Sequence, residues 1–244
     1  FHQRVDRDPT RHDVERNLSI LEAFGANVED CERSLELPVS SGIQSQVDRK
    51  LIALGVDDNR SIIGVNAGSV WPTKRWWPSG FANLIRLLKQ KIDCQILLFG
   101  GKDDSAVVRE VEARCGVPVI NLVDRLSLRE LPAAIGRCGV LVTNDSGPMH
   151  IAVARKVPTV AVFCATTPEL GFYPYSADAV VLERRLDCRP CAVHGGRRCP
   201  LGTEACIREI PPESVLAAVE KLLEIDAGRS VDPKQLFRPE YVAA

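Results

Sequence analysis

The sequence predicts an α/β fold, a Rossmann-like parallel sheet with helices on both faces. Three observations carry this. From about residue 61, continuous apolar runs alternate with segments of helical periodicity. The runs lack the apolar–polar alternation of a half-exposed strand, so both faces of each strand are covered. Polar, glycine-bearing segments follow three of the runs: Asn66 to Ser69, Gly100 to Asp104, and Asn144 to His150. In open parallel sheets, ligands bind outside the carboxyl ends of the strands. Those segments are therefore the candidate site.

The elements follow in order. Ser61-Ile62-Ile63-Gly64-Val65 is the first strand, and Phe81, Leu84, Ile85, Leu87 and Leu88 give the first helix of the repeat its apolar face. Cys94 to Phe99 is the second strand, and Val107, Val108 and Val111 mark the next helix. Val117-Pro118-Val119-Ile120 reads as a short third strand. Ser127-Leu128-Arg129-Glu130 is a capping box, opening a helix through Leu131 and Ile135 that ends near Gly139. Val140 to Thr143, Thr159 to Phe163 and Ala179 to Leu182 are the fourth, fifth and sixth strands. A last amphipathic helix runs from about Pro212 to Ile225, with Val215, Leu216, Val219, Leu222 and Leu223 on one side. Residues 1–57 are more polar, with one helical stretch from Val14 to Phe24 and an extended segment near Leu35 to Val39. Residues 226–244 read as a polar tail.

Bulk properties narrow the function. With 45% hydrophobic and 26% charged residues, the composition is that of a globular protein. A net charge of -1 shows no basic excess, so nucleic acid is not an expected partner. No apolar run approaches the ~18 residues of a membrane span. Of nine cysteines, Cys31, Cys94, Cys115, Cys138 and Cys164 lie in or beside element patterns and read as small buried apolar residues. An odd count without scaffold spacing fits a reducing, cytoplasmic compartment. The dinucleotide fingerprint G-x-G-x-x-G is absent, which argues against a NAD enzyme.

The strongest signal is Asn144-Asp145-Ser146-Gly147-Pro148-Met149-His150 between a strand and a helix. Gly147 permits close backbone approach. Pro148 suits the first helical position, and Asp145 or Ser146 can cap the helix. The N–H groups of that first turn attract an anion such as a diphosphate. An ordinary capped turn would carry the same residues.

Read together, Asn66-Ala67-Gly68-Ser69, Lys74-Arg75-Trp76, Leu98-Phe99-Gly100-Gly101, Leu128-Arg129-Glu130-Leu131, Asn144 through His150, Thr166 through Phe172 and the cysteine segment resemble glycosyltransferase family 9. These are the ADP-heptose:lipopolysaccharide heptosyltransferases, and the cysteine segment is most like the heptosyltransferase II branch. The resemblance covers roughly residues 60–225. It implies the C-terminal, donor-binding half of a two-domain GT-B fold and transfer of heptose from ADP-heptose to the lipopolysaccharide inner core, with inversion and without a metal or cofactor. Residues 58–225 then form the nucleotide-sugar-binding domain. Residues 1–57 are a remnant of the N-terminal acceptor domain and the interdomain linker. The family's glycine-rich start and catalytic base lie outside this sequence, which leaves the catalytic residue unassigned. A truncated, non-catalytic nucleotide-binding module and a zinc-stabilised interaction module are the alternatives.

The resemblance implies donor-site roles for Ser69, Lys74, Asp145, Ser146, Gly147, Met149 and His150. The Lys74 ammonium would neutralise the diphosphate and stabilise the departing nucleotide; the alternative is a solvated surface lysine. Ser69 would donate to phosphate, Asp145 would accept from sugar hydroxyls, and His150 would bond phosphate or sugar. Asp103 is a weaker candidate for ribose. Trp76 and Trp77 read as core residues rather than a stacking platform. Cys188, Cys191, Cys199 and Cys206 have spacing that could wrap one zinc; reduced thiols or a disulfide are the other readings. Arg184, Arg185, Arg189, Arg197 and Arg198 are either solvated or face a phosphorylated lipid acceptor, which would put the protein peripherally at the inner membrane.

Overall fold

The computed structural model describes residues 4–226 and 240–243. β1 (Ser61–Asn66), β2 (Cys94–Phe99), β3 (Ile120–Asn121), β4 (Val140–Asn144), β5 (Thr159–Phe163), β6 (Ala179–Glu183) and β7 (Glu240–Ala243) form one sheet in the order β3-β2-β1-β4-β5-β6-β7. Each pairing is parallel. The strand order reverses between β1 and β4, where such a sheet opens its ligand crevice.

Alternate residues of each central strand enter different cores. Ile63 and Val65 of β1, Ile96 and Leu98 of β2, and Val140 and Val142 of β4 face one side. There they meet α3 (Pro78–Lys91), α4 (Ser105–Cys115) and the helix Pro212–Asp226, through Leu84, Val111 and Val219 among others. Ile62, Leu97, Phe99 and Leu141 face the other side, under α2 (Ser41–Ala53), α5 (Leu131–Ile135) and part of α6 (Gly147–Ala154). Full burial of each such side chain is worth about 1.5–3 kcal/mol.

The spacing of α3 is visible in its burial. Phe81, Leu84, Ile85 and Leu88 are buried, Pro78 opens the helix, and Lys89 and Lys91 occupy its last turn, where cations complement the helix dipole. Trp76, just before it, is fully buried and packs edge-on against Phe81, as expected of a core residue. Its indole N–H donates to the Ile210 carbonyl at 3.2 Å.

Several expectations shift. The third strand begins at Ile120 rather than Val117, because Pro118 has no N–H for a ladder. The stretch Val14 to Phe24 divides into α1 (Asp13–Leu18) and a 3-10 segment, Ser19–Phe24. The capping box forms, with Ser127 N–H to Glu130 at 2.8 Å and Glu130 N–H to Ser127 Oγ at 3.3 Å, but α5 is confined to Leu131–Ile135.

The division at 57/58 crosses a packed unit, because α2 buries Val47 and Leu51 against the sheet. The segment read as a tail contains β7 at the sheet edge; residues 227–239 of that tail lie outside the described residues. Cys94, Cys115, Cys138 and Cys164 are buried as expected, whereas Cys31 is only half-buried.

Candidate functional site at the switch point

Two buried asparagines build the crevice. Asn144, at the end of β4, is fully buried. Its carbonyl oxygen accepts the Trp76 N–H at 2.9 Å, and its amide donates to the Ala67 and Gly68 carbonyls at 2.9 and 3.2 Å. Asn66, at the end of β1, donates to the Gly68 carbonyl, Thr143 Oγ1 and Ser146 Oγ at 3.3, 3.1 and 3.1 Å. Loops after two adjacent strands are thereby held at one spacing by side chains that satisfy buried polar groups.

A cavity of about 400 Å³ lies beside these loops. Its lining is part apolar, with Phe99, Leu122, Leu126 and Leu131, and part polar, with Ser69, Arg75, Asp104, Ser146 and Gly147. That division suits a molecule with a flat apolar base and a charged end. Arg75 Nε donates to the Ser69 carbonyl at 2.7 Å, and the guanidinium lies 3.8 Å from Asp104. Asp104 accepts the Gly101 N–H at 3.0 Å. A Cβ at Gly68 would lie 2.3 Å from the Asp104 carboxyl carbon, so any side chain there would displace that carboxylate.

The polar lining includes the start of α6. Ser146 occupies its N-cap position in an extended conformation, yet no side chain caps the helix. The Ser146 hydroxyl is engaged by Asn66 and the Asn144 carbonyl instead. Gly147 is the first helical residue and Pro148 the second. A Cβ at Gly147 would meet nothing within 4 Å, so the approach to this positive helix end is open.

A charged cluster adjoins the cavity. Lys74 Nζ pairs with Asp145 Oδ2 at 2.6 Å, with side chains 14% and 5% exposed. Thr166 Oγ1 donates to the same carboxylate oxygen at 2.7 Å. His150 is close enough to feel both charges: burial pushes its pKa below the ordinary value, Asp145 opposes the shift and Lys74 adds to it. A buried ammonium beside a helix N-terminus is an arrangement that stabilises a developing phosphate charge.

The structure thus brings six of the seven sequence candidates together. Ser69, Ser146 and Gly147 line the cavity, while Lys74, Asp145 and His150 form the adjoining cluster. Met149 is the exception. It is fully buried with Ala161, Phe163 and Val181, because two residues past Gly147 is ~200° around a helix and points at the sheet. Asp104, rather than the exposed Asp103, turns its carboxylate toward the first loop.

Sequence reasoning missed Arg75, Asp104, Thr166 and the apolar lining. Arg75 lies inside Lys74-Arg75-Trp76 and Asp104 closes the segment that begins at Gly100, so both were within reach of the motifs. Thr166 joins the site only through a contact across 21 positions.

The cysteine segment lies beside the cluster. Among the described residues no three His, Cys, Asp or Glu side chains are grouped to hold a metal ion. Arg189 departs from the reading of five solvated or lipid-facing arginines. Its side chain is 2% exposed and donates to the Phe163, Cys164 and Thr166 carbonyls. Arg184 pairs with Glu209, and Arg185, Arg197 and Arg198 are exposed.

Comparison with known proteins bears on the fold and the family. Lipooligosaccharide heptosyltransferase 2 of Campylobacter jejuni is 30% identical over 214 residues, covering 86% of this chain and 61% of that protein. The chain therefore spans about three fifths of that relative's length. The glycosyl transferase family 9 structure from Veillonella parvula DSM 2008 superposes with a TM-score of 0.78 at 29% identity, covering 91% of this chain and 62% of that one. For the Escherichia coli ADP-heptose lps heptosyltransferase II, the TM-score is 0.72 at 25% identity, covering 93% and 66%. With the model for glycosyltransferase family 9 (heptosyltransferase) matching residues 1–200, the chain belongs to that family.

Proposed function

We propose that this chain carries the donor site of an inverting heptosyltransferase that moves heptose from ADP-heptose to the lipopolysaccharide inner core. The observation that supports it most is the cavity at the switch point whose lining residues Arg75 and Ser146 directly follow the buried Lys74–Asp145 pair in the chain. The adenosine would lie against the apolar lining residues Phe99, Leu122, Leu126 and Leu131. The diphosphate would lie against the start of α6, within reach of Lys74.

The chemistry follows from that placement. An acceptor hydroxyl attacks the anomeric carbon from the face opposite the diphosphate, and the configuration inverts. Negative charge grows on the departing phosphate oxygen, where Lys74 and the helix N-terminus stabilise it. These groups supply the positive charge a metal would otherwise bring. Asp145, beside Lys74, would accept from heptose hydroxyls. The base that takes the acceptor proton belongs to the acceptor domain, as the family resemblance implies; general-base help is worth ~10²–10⁴ in rate. The exposed Arg185, Arg197 and Arg198 would meet the phosphorylated acceptor at the cytoplasmic face of the inner membrane.

Calorimetry with ADP-heptose, ADP and UDP in the presence of EDTA tests this reading. Binding of ADP-heptose and ADP without added metal, both tighter than UDP, is the expected result. Equal affinity for UDP, or ADP binding abolished by EDTA while the protein stays folded, would contradict it.

A further inference from the structure

The loop from Cys188 to Cys206 touches the donor site at two points. Its tip, Gly195-Gly196, is hooked onto Thr73. Thr73 Oγ1 donates to the Gly196 carbonyl at 3.0 Å and accepts the Gly196 N–H at 2.7 Å, while the Thr73 N–H reaches the same carbonyl at 3.2 Å. Thr73 is 4% exposed, so these bonds are shielded from water. Its carbonyl in turn accepts the Ala165 N–H at 3.2 Å, and the Ala165 carbonyl accepts the Cys191 N–H at 2.9 Å.

The next residue after Thr73 is Lys74. Gly195 has φ +80°, and a Cβ there would lie 2.8 Å from Lys74 Cγ and 3.1 Å from Cδ. The lysine stem is therefore laid along the bare backbone of the loop tip. At the loop's start, the buried Arg189 guanidinium donates to the Thr166 carbonyl at 2.6 Å, and Thr166 donates to Asp145. One loop thus braces both partners of the Lys74–Asp145 pair.

We propose that the Cys188–Cys206 loop positions the phosphate-binding lysine, with Thr73 and Gly195 as its positioning residues. The inference rests on the donor-site reading above. A free lysine stem has several rotatable bonds, and ordering it on ligand binding is among the larger side-chain entropy costs. A stem already seated against Gly195 avoids much of that cost, which is the general gain from preorganisation.

The test compares Thr73→Val, which keeps the shape and loses the hydroxyl, with Thr73→Ser, which keeps the hydroxyl. Each is made with Lys74 present and with Lys74→Met, and calorimetry on the 244-residue chain measures ADP and adenosine. Thr73→Val should weaken ADP about tenfold, Thr73→Ser should bind like the parent, and adenosine affinity should not change. In the Lys74→Met background, Thr73→Val should have no further effect.

Equal losses in both backgrounds, or losses shared by adenosine, would overturn positioning while leaving the donor site standing. Unchanged ADP affinity in Lys74→Met would overturn the donor-site reading itself, and positioning with it. Gly195→Ala keeps the Thr73 side chain and crowds chiefly the lysine stem, with its Cβ 2.8 Å from Lys74 Cγ and 3.2 Å from Thr73 Oγ1, so it probes the same junction if Thr73→Val does not fold. It should show the same ADP-selective loss, and parent-like ADP affinity in Gly195→Ala would count against the proposal.

Discussion

Replacing Lys74 by Met separates the structural from the functional role of the buried ion pair. The ammonium is 2.6 Å from Asp145, and their side chains are 14% and 5% exposed. Removing one partner of a buried pair typically costs about 3–5 kcal/mol, because the other charge is left uncompensated. Here Thr166 still donates to the carboxylate, so about 2–4 kcal/mol is the expected loss.

With a urea m-value of about 3 kcal/mol/M, that loss lowers the unfolding midpoint by roughly 1 M. The double variant Lys74→Met/Asp145→Asn removes both charges at nearly constant volume. It should recover stability to within about 1 kcal/mol of the parent, since neutral replacement of a buried pair is often tolerated. ADP binding should not recover: a lost charge-assisted contact leaves it weaker by ~1–3 kcal/mol in both variants. Asp145→Asn alone, which retains the cation, should keep ADP affinity. Parent-like ADP affinity in the double variant would refute the assignment and reduce Lys74 to a structural counter-ion.

Two further outcomes follow from the buried polar groups. Asn144→Leu orphans the Trp76 N–H and the Ala67 carbonyl; at ~1–3 kcal/mol per unsatisfied group, urea unfolding should show a loss of about 2–5 kcal/mol, and less than about 1 kcal/mol would contradict the anchoring role. His12 and His150 both have pKa values pushed below 6.5, chiefly by burial. The unfolded chain therefore binds more protons than the folded one just below pH 6.5. Stability should be full above that pH and fall as pH drops through the window beneath it, and replacing both histidines by glutamine should flatten the profile. A stability that rises on acidification through this range would contradict the burial of both rings.

The sequence revealed the fold where burial and periodicity coincide. β2 and β5 match their apolar runs end to end because both faces of each strand are covered. α2 escaped because its core stripe is only Ile43, Val47 and Leu51, one residue per turn among polar neighbours. At the site, Ser69, Ser146 and Gly147 line the cavity because they lie in the loops after β1 and β4, which the strand pattern locates. Thr166 and Arg189 were not, because their roles come from contacts between distant segments. Met149 was misplaced by proximity in sequence to residues that face the opposite way around α6.

Everything proposed for the site depends on a nucleoside diphosphate binding between the ends of β1 and β4. A crystal structure of the chain with ADP would show whether it does. The base should lie against Phe99, Leu122 and Leu126, the diphosphate at the N-terminus of α6, and Lys74 within hydrogen-bond reach of a phosphate oxygen. ADP bound elsewhere, or bound with its phosphates away from both Lys74 and Gly147, would contradict the donor-site assignment.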